Sequence, residues 1–199
     1  MTTTTSHNPK ILAFAGSQRA GSFNKKLVRI AALEARAAGA DVTVLDLRDL
    51  DLPLFDQDLE AASGLPAGAR KFKNLLIQCD GMLISTPEYN SSFTPLLKNA
   101  IDWASRAETA EEPPLLAFRG KVAALLAASP GSLGGMRALV QLRSLLANIG
   151  VLVLPEQVTL PAAYDAFTET EQLKDQIKAE QVEVFSRDFV NFLRKHQGS

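Results

Sequence analysis

The run KILAFAG at residues 10–16 constrains this chain more than any other segment. So short and continuous an apolar run, ended by a glycine, reads as a strand covered on both faces. A parallel sheet with helices above and below supplies that cover. The pattern recurs at residues 41–47 (DVTVLDL), 81–86 (GMLIST), 121–128 (KVAALLAA) and 151–158, which are predicted as strands two to five. Helix-period segments separate them. Residues 23–38 carry Leu27, Ile30 and Ala31 on one face and close at Gly39, and residues 69–78 carry Phe72, Leu75 and Leu76. Thr94 and Pro95 form a hydroxyl cap with proline at the first helical position, opening a helix to about residue 106. Residues 135–148 form the fourth helix, closed by Gly150. Thr168 is predicted to cap a terminal helix reaching about residue 195, with Leu173, Ile177, Val184, Phe185, Phe189 and Phe192 as its buried stripe.

Five strands alternating with five helices predict one α/β domain over residues 10–199, with a short disordered start at residues 1–9. The chain of 199 residues is 46% apolar, enough for a full core. Lys and Arg number 21 against 22 Asp and Glu, a net charge of −1. That balance argues against a nucleic-acid partner, which calls for a basic surface, and against a strongly acidic electron carrier. One cysteine, Cys79, excludes an intrachain disulfide and a cysteine zinc cage. The two histidines, His7 and His196, lie near the chain ends and argue against a histidine metal site. No apolar run approaches the roughly 20 residues of a membrane span, and no signal pattern opens the chain, so a cytoplasmic location is expected.

In open α/β sheets ligands bind beyond the carboxyl ends of the strands. Three unusual segments fall there. After strand one, Gly16 to Asn24 reads GSQRAGSFN, a tight turn with small hydroxyl residues leading into a helix. A helix N-terminus offers free N–H groups and the positive end of its dipole, so an anion is the natural guest. Ser17, Ser22 and Asn24 add hydrogen bonds, and Arg19 a charge-assisted one. The spacing fits neither a dinucleotide fingerprint, since Gln18 stands at the third position, nor a triphosphatase loop, since Gly21 is followed by Ser22 and Phe23. After strand three, Thr86 to Phe93 (TPEYNSSF) presents backbone amides and a tyrosine; after strand four, Ser129 to Gly135 (SPGSLGG) brings three glycines. Singly, the second and third would read as a turn and a flexible connection, whereas the first favours an anion over a mere helix cap even on its own. Together they describe a site for a flat, anionic ligand.

With GSxRxxSxN at residues 16–24, PEYN at 87–90 and LKNAIDWASR at 97–106, the chain resembles the NADPH-dependent FMN reductase family over residues 10 to about 158. That family includes bacterial chromate, quinone and azo-dye reductases. The resemblance implies a flavodoxin-like three-layer sandwich: a five-stranded parallel sheet of order 2-1-3-4-5 with helices on both faces. It places the FMN phosphate on Ser17, Arg19, Ser22 and Asn24, with Phe23 beside them. Pro87, Glu88, Tyr89 and Asn90 then lie along the isoalloxazine and ribityl chain, and Ser129 and Gly131 on the other side of the ring. It further implies ping-pong transfer from NADPH or NADH through FMN to a flavin, quinone or similar small acceptor, with no catalytic side chain. A homodimer or homotetramer is also implied, built on the helices after strands three and four. Ile101 and Trp103 are then either interface or core residues. Ser91 departs from the family's usual glycine, and Thr94-Pro95 from its usual Pro-Gly. A non-enzymatic flavin-binding electron carrier and a redox-sensing module would share the same cofactor site.

Overall fold

The computed structural model describes residues 8–197. The chain runs β1 (Lys10–Ala15), α1 (Phe23–Ala37), β2 (Asp41–Asp46), a 3-10 turn (Leu47–Leu50), α2 (Gln57–Ser63), α3 (Ala67–Gln78), β3 (Gly81–Ser85), α4 (Pro95–Ala104), β4 (Val122–Ala128), α5 (Met136–Asn148), β5 (Leu152–Leu160) and α6 (Gln176–Gln197). All strand pairs are parallel and the sheet order is β2-β1-β3-β4-β5. The expected flavodoxin-like layout is therefore the observed one.

Period-two alternation divides the core into two layers. Ile11, Ala13 and Ala15 of β1, with Val122, Ala124 and Leu126 of β4, face α1 and α6. Leu12 and Phe14, with Ala123 and Leu125, face α3, α4 and α5. β5 is an edge strand, which tolerates Pro155 and a register shift opposite Ala123 to Leu125. Trp103 and Ile101 are both buried within this chain. Trp103 Nε1 donates to the Pro53 carbonyl at 2.8 Å, and its ring meets Phe55 edge-on at 4.9 Å, so both residues belong to the core.

Three departures from the sequence expectation have physical causes. Helix α2 buries no residue, so it has no apolar stripe; the Asp56 carboxylate caps it. The terminal helix starts at Gln176, not after Thr168, because Asp175 accepts from the amides of Ile177 and Lys178. Thr168 instead closes a local turn, its hydroxyl accepting from Gln172 N at 3.1 Å. Ile177 is consequently 78% exposed, and the buried face of α6 is Val182, Phe185, Phe189, Val190 and Leu193, with Val184 and Phe192 half-buried. Residues 1–7 of the start expected to be disordered lie outside the described residues; Pro9 is buried and its carbonyl accepts from Asp41 N. Among the described residues no helix is long and apolar enough to cross a membrane.

Candidate functional site

The turn after β1 is held from below. Gly16 N donates to Ser85 O, and Gly16 O accepts from the buried Thr94 hydroxyl at 2.7 Å. Thr94 also caps α4, accepting from Leu97 N at 3.2 Å. A Cβ on Gly16 would stand 3.0 Å from both Thr94 Oγ1 and Leu97 Cβ, so the close approach calls for glycine.

Ser22 is the N-cap of α1, its side chain accepting from Lys25 N at 3.4 Å. The amides of Gln18, Arg19, Ala20, Gly21, Phe23 and Asn24 meet no acceptor among the described residues. No acidic side chain occupies the first turn of α1, so nothing offsets the positive end of its dipole. Such a cluster of unpaired donors fits a phosphate. Arg19 lies over the Phe23 ring, its Cζ 4.7 Å from the centroid, and makes no ion pair among the described residues. Ser17 and Ser22 are nearly buried beside it.

Asn24 is committed differently. Its Oδ1 accepts from Ala128 N at 2.9 Å and from Ser85 Oγ at 2.8 Å, and its Nδ2 donates to Ala128 O at 2.8 Å. The side chain thus ties the start of α1 to the ends of β3 and β4, leaving one N–H uncommitted.

Beyond β3, Tyr89 and Ser92 exchange backbone hydrogen bonds of 2.8 and 3.0 Å around Asn90 (φ 51°) and Ser91 (φ 67°). Two left-handed central residues make a tight I′-type turn, which favours glycine where Ser91 stands. Glu88 turns its carboxylate toward α5: Oε1 accepts from Arg137 Nε at 2.6 Å and Oε2 from Arg137 N at 3.2 Å. It therefore caps α5 and pairs with the Arg137 guanidinium. The Glu88 and Asn90 amides meet no acceptor among the described residues. Beyond β4, Ser129 Oγ accepts from Gly131 N at 3.3 Å. Gly135 closes the loop, where a Cβ would fall 2.6 Å from Ala127 Cβ.

An open cleft of about 280 Å³ gathers Ser17, Arg19, Ser22, Phe23, Asn24, Pro87, Glu88, Tyr89 and Ser129 along one wall system, with Tyr164 at its rim. Asn90 and Gly131 adjoin it in sequence rather than lining it. A second cleft, about 370 Å³, continues past Ser17 and Tyr89 toward Leu52, Leu54 and Leu96. A larger groove, about 570 Å³ between β5 and α6, is apolar and away from these loops. Sequence reasoning missed Tyr164, Thr94 as a prop of the turn, and Arg137 as the partner of Glu88. Only Thr94 carried a signal, its N-cap position.

These features sit within a match to known proteins. The chain is 36% identical over 167 residues to an NAD(P)H-dependent FMN reductase of Pseudomonas aeruginosa, covering 83% of this chain and 85% of that protein. It is 36% identical over 146 residues to a quinone reductase of Escherichia coli K12, covering 73% of each. Its structure superposes on FerB, a flavoenzyme NAD(P)H:(acceptor) oxidoreductase from Paracoccus denitrificans, with TM-score 0.76 and 28% identity over 94% of this chain and 98% of that one. The family model for NADPH-dependent FMN reductases matches residues 9–165, and the chain belongs to that family.

Proposed function

We propose that the chain is a reductase that holds FMN in the cleft beyond β1, β3 and β4 and passes electrons from NAD(P)H to a quinone, a flavin or a similar small acceptor. The observation that carries this reading is the run of unpaired amides at Gln18 to Gly21, Phe23 and Asn24, of which Arg19, Phe23 and Asn24 line one cleft with Glu88, Tyr89 and Ser129. FMN bound there would supply the two-electron chemistry between NAD(P)H and the acceptor.

The protein's part is binding and electrostatics. The amides of the turn, the Ser17 and Ser22 hydroxyls and the Arg19 guanidinium hold the phosphate. Asn24 contributes by fixing the helix that carries those donors. The unpaired Glu88 amide at the cleft, with the Asn90 amide adjoining it, would stabilise negative charge on the reduced flavin. Pro87, Tyr89 and Ser129 would hold the ring and ribityl chain, with Asn90 and Gly131 shaping the loops beside them. Donor and acceptor use the same open face in turn, which gives ping-pong kinetics; converging rather than parallel initial-rate lines would refute this. The exposed Met136 and Val140 on the outer face of α5 support a homodimer or homotetramer, checked by light scattering.

The test is the visible spectrum of the purified chain with FMN, then with anaerobic NADPH. Bound-flavin bands that bleach support the reading. Bands that persist assign the chain to an electron carrier or redox sensor, and a chain that binds no flavin overturns the proposal.

A further inference from the structure

The segment between β5 and α6 folds back against α1. Ala163 N donates to Ser129 O at 3.2 Å, and Glu171 sits 3.6 Å from Lys26 Nζ and 3.4 Å from Arg29 Nη1. Phe167, buried, stacks parallel to Phe23 with centroids 6.1 Å apart. Between these anchors Tyr164 meets the Phe23 ring edge-on at 5.4 Å and lines the anion cleft, yet is 76% exposed. Its hydroxyl makes no hydrogen bond among the described residues. An exposed tyrosine fastened by its ring while its hydroxyl stays unpaired is poised for a ligand at the cleft rim. Phe23 carries Arg19 on its face, so the ring that Tyr164 touches also positions the guanidinium.

We propose that Tyr164 is a further cofactor-binding residue: its hydroxyl donates to a phosphate oxygen of FMN, and its ring holds Phe23, and through it Arg19, in place. This rests on the FMN reading above. It gives the cleft a wall that the motif residues lack, and makes binding selective for the phosphorylated flavin.

The test is equilibrium titration of the flavin-free full-length chain and its Tyr164→Phe variant with FMN and with riboflavin, which lacks the phosphate. Loss of a hydrogen bond to a charged group predicts a rise in FMN Kd of roughly tenfold, with riboflavin Kd unchanged. Tyr164→Ala, which also frees Phe23, should weaken FMN further. Equal FMN affinity in wild type and Tyr164→Phe overturns the inference alone. An equal loss for both flavins also overturns it, since the phosphate would then not be the partner. A wild type that binds neither flavin overturns the parent reading together with it.

Discussion

Replacing Asn24 with alanine should unfold this protein more readily than any comparable change at a surface turn. The side chain satisfies the N–H and C=O of Ala128, and both Ala128 and Ser85 are buried. Removing it strands two buried backbone groups, each worth about 1–3 kcal/mol, while the Ser85 hydroxyl can rotate to another acceptor. The expected loss is therefore about 2–6 kcal/mol. At about 2–4 °C per kcal/mol for a domain of this size, that lowers Tm by roughly 4–24 °C. The assay is urea and thermal unfolding of the flavin-free chain, so that lost cofactor affinity does not enter. Ser85→Ala is the control: it removes one bond and should cost about 1 kcal/mol. In the double variant the two effects should fall short of adding, because they share a contact. A loss below 1 kcal/mol for Asn24→Ala would show that water replaces the amide and that Asn24 is free to serve the ligand directly.

Four other outcomes are expected. Arg19→Ala should weaken FMN by about 1.5–3 kcal/mol with the fold intact, because it removes one charge-assisted contact; an unchanged Kd means Arg19 points elsewhere. Ser91→Gly should stabilise the chain by about 0.5–1 kcal/mol, since relief of a left-handed non-glycine residue exceeds glycine's entropic cost; a lower urea midpoint refutes this. Burial pushes the Glu112 carboxyl up, but hydrogen bonds from Lys73 and the Glu108 amide, with the Lys73 charge, outweigh it and hold the group below the usual carboxylate range. A depressed carboxyl stabilises the fold at neutral pH, and that contribution fades as pH falls from about 4.3 through the lower folded value; Glu112→Gln should flatten the unfolding-midpoint profile there. Burial pushes the Cys79 thiol up to about 11, so a thiol reagent at pH 7.5 should leave the native chain unlabelled, and Cys79→Ser should keep reductase activity.

The sheet was legible because its three inner strands are buried on both faces, so their apolar runs are unbroken: β3 and β4 are wholly buried, and β1 is buried from Ile11 onward. Strand order was less accessible to periodicity and came from the resemblance. Helix α2 left no trace because it has no apolar face to read. Thr168 misled because a hydroxyl closing a local turn and a hydroxyl capping a helix have the same sequence signature. At the site, the turn after β1 announced itself through glycine, hydroxyls and a helix start. The chemical role of Asn24 did not, since an amide can serve ligand or backbone alike, and only the positions of Ser85 and Ala128 decide it. Tyr164 had no motif around it; its place follows from how a loop about 140 residues downstream folds back onto α1.

That long reach has a consequence for assembly. The cradle proposed for the cofactor draws on the first strand's turn, on the ends of β3 and β4 and on a residue beyond the fifth strand. A growing chain therefore cannot offer that complete site until it has been made past Tyr164. Contacts this distant in sequence form late, after the loop-closure entropy of the intervening helices has been overcome. Ligand that binds only the finished cradle stabilises the whole domain against global opening rather than one turn against fraying, by an amount that grows with free FMN concentration. Amide exchange should then slow upon FMN addition in β3, at the middle of the sheet, and not only in the loop proposed to hold the phosphate.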